Sequence, residues 1–304
     1  MVQPGRSYNS PDYRYGFNTQ EKVDEVKGSG NHYTAEFWLY NPRAVHRWNM
    51  DPKAHPGFSP YDIMRGNPIM FNDPYGDTVN IEHRTGFLGL GKKQTLKYEG
   101  GVLFNQDGSE YEGKVNGFLE RALGALNEIR DTEEGSEMLH ELEGSENIFT
   151  IKSGYKSKFV SDNKRKAYAN QFATDPKYAS AYESALEKGV DLSGGTGGTI
   201  YWNSRGGTMV PEVGGGYANR PTVFLGHEMF HGLDANRGLL DDRPHLGVKR
   251  SEWQAVYREN ILRIQMGLPL RTNYKSEDIG ARLRRPLPPL MLSPEGSPIR
   301  PSWY

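Results

Sequence analysis

Residues 220–238 read Arg-Pro-Thr-Val-Phe-Leu-Gly-His-Glu-Met-Phe-His-Gly-Leu-Asp-Ala-Asn-Arg-Gly. The apolar run Pro221–Leu225 leads in as a helix buried under a sheet requires, and Gly238 supplies a stop about two turns after His231. Within it stands His227-Glu228-Met229-Phe230-His231, an HExxH motif. On a helix, positions i and i+4 share a face, so both imidazoles reach one metal ion. Glu228 lies beside that face, where a carboxylate touches a metal-bound water without being a ligand. This one stretch predicts an active-site helix in an α+β domain of zincin-like type.

A catalytic zinc takes three protein ligands and keeps one position for water. The chain has no cysteine, so the third ligand is a His, Asp or Glu. Glu252, 21 residues after His231, is the leading candidate. It stands at the start of a second predicted helix, with Ser251 and Gln254 as a capping box, Gly267 as the stop and Pro269 beyond. HExxH plus a glutamate on a following helix is the gluzincin arrangement. Asp234, at i+7 from His227 and i+3 from His231, competes for the same role. Its other reading is to accept a hydrogen bond from a ligand imidazole. Glu259 reads as a ligand or as the partner of an arginine such as Arg263. His245, in the connecting loop, reads as a ligand or an oxyanion donor. A metzincin would need a ligand at position 237, which is Arg237.

The chemistry follows from Zn2+ at such a site. Zinc lowers the pKa of a water, Glu228 takes its proton, the peptide carbonyl is attacked, and Glu228 returns the proton to the leaving amine. Tyr257, Tyr274 and His245 are candidate donors to the tetrahedral oxyanion. Thr199–Trp202 reads as a strand opened by the glycine-rich loop at 194–198, either an edge that aligns substrate by strand addition or a surface hairpin.

Outward from this core, residues 114–285 read as mixed helix and strand. Val115–Arg130 carries one apolar stripe, and Gly135–Leu142, Asn163–Phe172 and Tyr178–Lys188 follow as helices, with Ile148–Lys152 as a strand. Residues 81–113 read as a linker passing into a hairpin at Thr95–Tyr98 and Val102–Phe104. The proline-rich tail 286–304 is expected to be extended or loosely docked. Residues 1–80 are rich in Tyr, Asn, Pro and Asp, punctuated by Asn-Pro and Asp-Pro turns, and read as short strands and turns.

Composition narrows the function classes. The 304 residues carry 37 Lys and Arg against 38 Asp and Glu, which excludes polyanion binding driven by bulk charge, though a basic face can hide in a neutral total. No basic or aromatic array for nucleic acid is visible, no phosphate loop is present, and no apolar run is long enough to span a membrane. The opening MVQPGRSYNSPDYRYGF lacks the apolar core of a secretory signal.

Two resemblances sharpen the reading. The stretches ALNEIRDTEEGSEMLHELEGSENIFTI, GGTIYWN, RPTVFLGHEMFHGLDANRG and SEWQAVYRENILRIQMGLPLRTNY resemble the NleD-type zinc metallopeptidase effectors, also found as toxin domains of polymorphic toxins. The resemblance implies zinc endopeptidase activity, with His227 and His231 as ligands and Glu228 as base. The family's downstream acidic residue falls in the stretch that opens at Glu252. Its known host substrates are not carried over, because no motif matches the residues that read them. YRYGFNTQEK, YNPRAVHRWNMDP and HPGFSPYDIMRGNPIMFNDPYG resemble the Rhs repeat-associated core, which precedes a toxin and ends in a P-x4-D-P-x-G motif, here Pro68, Asp73, Pro74 and Gly76. That family self-cleaves after the motif using aspartates. Asp77 stands where Leu is common, so Asp73 is read first as a turn residue.

Together these imply a secreted toxin or effector delivered into a target cell without an N-terminal signal, held in the bacterial cytoplasm before export. Its expected partners are a protein substrate and an immunity protein. The alternative is a non-enzymatic Rhs-type delivery or interaction module whose metal site is structural.

Overall fold

A computed structural model of the chain describes residues 21–23, 25, 33–35, 38–41, 46–47, 79–85, 91–190, 195–207, 209–280 and 283–304. The chain divides into two units, Met1–Gly76 and Asp77–Tyr304. In the first, strands β1 (Glu21–Lys22), β2 (Tyr33–Ala35), β3 (Trp38–Asn41) and β4 (His46–Arg47) form an antiparallel sheet in sequence order. The rest of the Rhs-like stretch, Asp73 included, lies outside the described residues.

The second unit is mixed α and β around a six-stranded sheet. Its strands are β5 (Val79–Arg84), β6 (Lys93–Glu99), β7 (Val102–Phe104), β8 (Phe149–Ser153), β9 (Lys158–Ser161) and β10 (Gly198–Trp202). The order is β7-β6-β5-β8-β10-β9, with β5–β8 and β8–β10 parallel and the other pairs antiparallel. One face alternates fully buried apolar residues, Val79, Ile81, Phe149, Ile151 and Ile200. Against that face pack α1 (Gly117–Arg130) and α6 (Pro221–Asn236) through Leu119, Leu126, Ile129, Leu225, Met229, Phe230 and Leu233. Each such side chain contributes about 1.5–3 kcal/mol by leaving water. Around them lie α2 (Glu133–Glu143), α3 (Lys164–Ala167), α4 (Ala169–Thr174) and α5 (Ala179–Glu187).

Several expectations change here. The hairpin expected in 81–113 exists as β6–β7, but this segment is no linker. With β5 it supplies half of the central sheet, because Ile81, Leu96, Tyr98 and Leu103 bury into the core. The helix expected over Asn163–Phe172 breaks at Tyr168 into α3 and α4, with the Asn163 side chain accepting from the backbone of Arg165 and Lys166. Thr199–Trp202 lies within β10 but is not an edge, since β10 pairs with β8 on one side and β9 on the other. The edge on this side of the sheet belongs to β9, a strand too short to stand out in the sequence.

The C-terminal part is docked. Ribbon β11 (Asn273–Gly280) and β12 (Leu283–Leu290) is antiparallel. Its prolines, which lack an N–H, sit on a two-stranded ribbon with an open side. Met291 then buries against Val248, Trp253 and Val256, with Ile299 and Trp303 packed on the same cluster. The tail thus closes a second small core.

Candidate metal centre

Helix α6 begins with Pro221 at its first turn, where a missing N–H costs nothing. The Trp202 indole donates to the Pro221 carbonyl at 2.8 Å, tying β10 to the helix start. Gly238, at φ +70°, follows the helix end, where a left-handed residue suits glycine. Helix α7 (Arg250–Gln265) packs along α6. A Cβ on Gly226 would meet Leu262 Cδ2 at 2.7 Å, so the bare backbone lets the two helices approach. The expected capping box is not formed: α7 starts two residues earlier, and Ser251 Oγ donates instead to the Asp241 carbonyl at 2.8 Å.

This approach carries Glu252 to the histidines. Its Oε2 lies 3.3 Å from Nε2 of both His227 and His231, and the two imidazoles stand edge to face with centroids 4.9 Å apart. The ligand atoms of His227, His231 and Glu252 all fall within 4.8 Å of one another. Two imidazole nitrogens and a carboxylate oxygen are a donor set that suits zinc.

The surroundings favour a cation there. Burial alone would lower the His227 pKa, but bonds to Glu252 and Glu259 lift it to about 10. Burial likewise opposes, and Glu252 outweighs it, in raising His231. Conversely, the imidazoles overcome burial to hold the Glu252 carboxyl well below the usual range. Carboxylates around two imidazoles call for positive charge, supplied by protons or by a metal ion that displaces them.

Glu259, fully buried, is not a member of that donor cluster. Its Oε2 faces His227 Nδ1 at 2.9 Å and accepts from Arg271 Nη1 at 2.6 Å, while Oε1 accepts from Arg263 Nε at 2.8 Å. Against the cost of burial, Arg271 and Arg263 keep its carboxyl below the usual range. A charged Glu259 therefore sets His227 with a proton on Nδ1 and its Nε2 turned to the cluster. The network runs on: Arg263 reaches Glu212 at 2.6 Å, and Glu212 binds Arg220, the residue before α6, at 2.7 and 3.1 Å. The Arg263 partnership was readable at i+4 spacing. Arg271 and Glu212 were missed, since they reach the site only through the fold.

Asp234 does not take either role expected of it. It is fully buried, but its Oδ1 accepts from the Tyr304 hydroxyl at 2.8 Å, so the docked tail has claimed it in place of an imidazole. Desolvation lifts its carboxyl to about 6, against the Tyr304 bond and Arg258.

Glu228 opens into a cleft of about 770 Å³ lined also by His227, His231, Glu252, Phe159 and Tyr274. Desolvation pushes its carboxyl up, opposed by the histidines and by a hydrogen bond from the Phe159 backbone. Glu228 and edge strand β9 are thus adjacent. Of the three oxyanion-donor candidates, Tyr274 lies at the centre, its hydroxyl bonded to Glu252 and its pKa raised by burial and by that carboxylate. His245 sits between the Trp253 and Trp303 rings in edge-on contacts, with centroids at 5.3 and 4.7 Å, because the tail folds over it. Tyr257 sits half-buried on α7, and neither of them lines the cleft.

No curated protein and no solved structure matches the chain. The Peptidase M91 family, described as effector protein, matches residues 105–274, more than half of the sequence. The matched stretch contains the two histidines, Glu228, Glu252, Glu259 and Tyr274, so the converging side chains and the family boundaries agree: this chain belongs to the Peptidase M91 family of effector proteins.

Proposed function

We propose that this chain is a zinc-dependent endopeptidase that acts as a toxin or effector on a protein of a target cell. The observation that carries the reading is the convergence of His227, His231 and Glu252 beside Glu228, on the floor of an open cleft. His227, His231 and Glu252 would hold the zinc, which when bound acidifies a water and polarises the scissile carbonyl. Glu228 accepts the water's proton and delivers it to the leaving amine; its raised pKa suits a group that must both take and give. Tyr274 donates to the oxyanion. Glu259 holds His227 in orientation, and edge strand β9 aligns an extended substrate beside the base.

The non-enzymatic alternative requires a structural zinc with four protein ligands. Asp234, the expected fourth, is engaged by Tyr304, which favours the catalytic reading. The first 80 residues are proposed as an Rhs-type core that precedes the toxin, with an immunity protein as the natural antagonist. Among the described residues no helix is long and apolar enough to cross a membrane. The test is metal stoichiometry and coordination of the purified protein. One zinc with three protein ligands supports the proposal, and four protein ligands with no water contradict it.

A further inference from the structure

The chain is nearly neutral, yet the charges around the cleft are not balanced. Six cationic side chains line it, Lys156, Lys158, Lys249, Arg271, Lys275 and Arg284, against three carboxylates, Glu228, Asp242 and Glu252. Arg271 is neutralised by Glu259 at 2.6 Å and Lys249 by Asp242 at 2.9 Å. Glu228 and Glu252 belong to the candidate metal centre, whose ion would balance them. Lys156, Lys158, Lys275 and Arg284 remain, and none has a carboxylate partner among the described residues.

These four stand on two banks. Lys156 precedes β9 and Lys158 opens it; Lys275 and Arg284 lie on the β11–β12 ribbon. The Lys275 ammonium is 5.7 Å from the Tyr274 ring, beside the centre itself. Lys158 sits over Tyr201 at 5.2 Å, and Arg284 Nε donates to Ser276 Oγ at 3.1 Å, so the contact of each is an uncharged side chain. Lysines 156, 158 and 275 are exposed. Like charges left unpaired on the walls of a cleft focus a positive field into it.

We propose that the cleft selects acidic peptide segments, with Asp or Glu side chains near the bond to be cut meeting Lys156 and Lys158 on one bank and Lys275 and Arg284 on the other. This rests on the peptidase reading and adds its substrate class. A peptide fits better than a nucleic acid: four free cations are few for a phosphate backbone, and β9, at the end of the sheet, offers an edge with which a peptide backbone can pair. An extended chain on β9 would send alternate side chains to opposite sides, within reach of the lysines.

The test uses full-length, zinc-loaded Glu228→Gln protein and fluorescently labelled peptides that differ only in carrying Glu, Ser or Lys at the variable positions. The acidic peptide is expected to bind about tenfold more tightly than the neutral one, with the advantage shrinking as salt rises. Adding Lys156→Glu and Lys275→Glu is expected to reverse the order in favour of the basic peptide, a gain that misfolding does not produce. Equal binding of the three peptides, or tighter binding of a single-stranded oligonucleotide than of the acidic peptide, overturns the proposal. Cleavage of the same peptides by the Glu228 protein separates the two claims. Acidic preference without cleavage supports the charge selection and sinks the peptidase reading, whereas cleavage without preference does the reverse.

Discussion

Replacing Glu259 with Gln tests whether the buried charge behind His227 organises the centre. The side chain has no solvent exposure and serves three partners: His227 Nδ1 at 2.9 Å, Arg263 Nε at 2.8 Å and Arg271 Nη1 at 2.6 Å. Gln keeps the shape but offers one acceptor and one donor group, so an N–H must face either an arginine or the imidazole. Arg263 is itself fully buried, and Glu212 becomes its one remaining carboxylate. Breaking one side of a buried ion pair costs about 3–5 kcal/mol, and a lost partner behind a ligand imidazole weakens metal binding about 10–100-fold. Glu259→Gln is therefore expected to lose about 3–5 kcal/mol in urea unfolding with chelator present. Its zinc Kd, from competition with a chromophoric chelator, should rise about 10–100-fold. A variant within about 0.5 kcal/mol of the parent, the usual range for a surface substitution, with unchanged zinc affinity would refute the argument.

Other perturbations reach different parts of the account. Asp234 has a carboxyl raised from 3.8 to about 6 in the folded state, so the folded chain keeps a proton that the unfolded chain releases. Stability attributable to this group is present below about pH 4 and is lost as pH rises to about 6, amounting to about 3 kcal/mol at ~1.36 kcal/mol per unit. Asp234→Asn still accepts from Tyr304 and should be more stable than the parent by up to about 3 kcal/mol at pH 7.5 but little changed near pH 4; parallel urea-denaturation profiles against pH would contradict this. Tyr274→Phe should lower kcat about a hundredfold while KM and bound zinc hold, as loss of an oxyanion donor does, and steady-state kinetics that show a KM effect alone would remove Tyr274 from that role. Gly226→Ala places a Cβ 2.7 Å from Leu262 Cδ2 and should cost about 1–3 kcal/mol in thermal unfolding while weakening zinc binding through the spread of the two helices; a neutral result would mean that their approach does not depend on the glycine.

What could be read from the sequence was what depends on local spacing. His227, Glu228 and His231 sit on one helix, and i, i+4 geometry is set by the helix itself. Glu252 was reachable because α7 is the next helix after α6, and the packing of the two brings its first turn back toward the histidines. Roles that depend on distant chain segments were hidden. Arg271 and Glu212 meet Glu259 and Arg263 through pairings across the fold, and nothing in their own neighbourhoods distinguishes them from surface charges. Asp234 had the right helical face, but Tyr304, 70 positions away, decided its partner. The edge strand was misplaced for a similar reason: Thr199–Trp202 has the stronger β pattern, yet strand order depends on where the short β9 inserts. The tail's prolines argued for a loose segment, while Met291 and Trp303 supplied the apolar surface that docks it.

The central claim is that Glu228 moves the proton in a metal-dependent cleavage. The most direct measurement compares parent and Glu228→Gln for bound zinc and for cut sites across a whole proteome, with chelator-treated parent alongside. The account predicts about one zinc per chain in both proteins, cleavage by the parent that chelation abolishes, and a loss of about 100- to 10,000-fold in the variant, the range for removal of a general base. Cleavage that survives Glu228→Gln or chelation would contradict it.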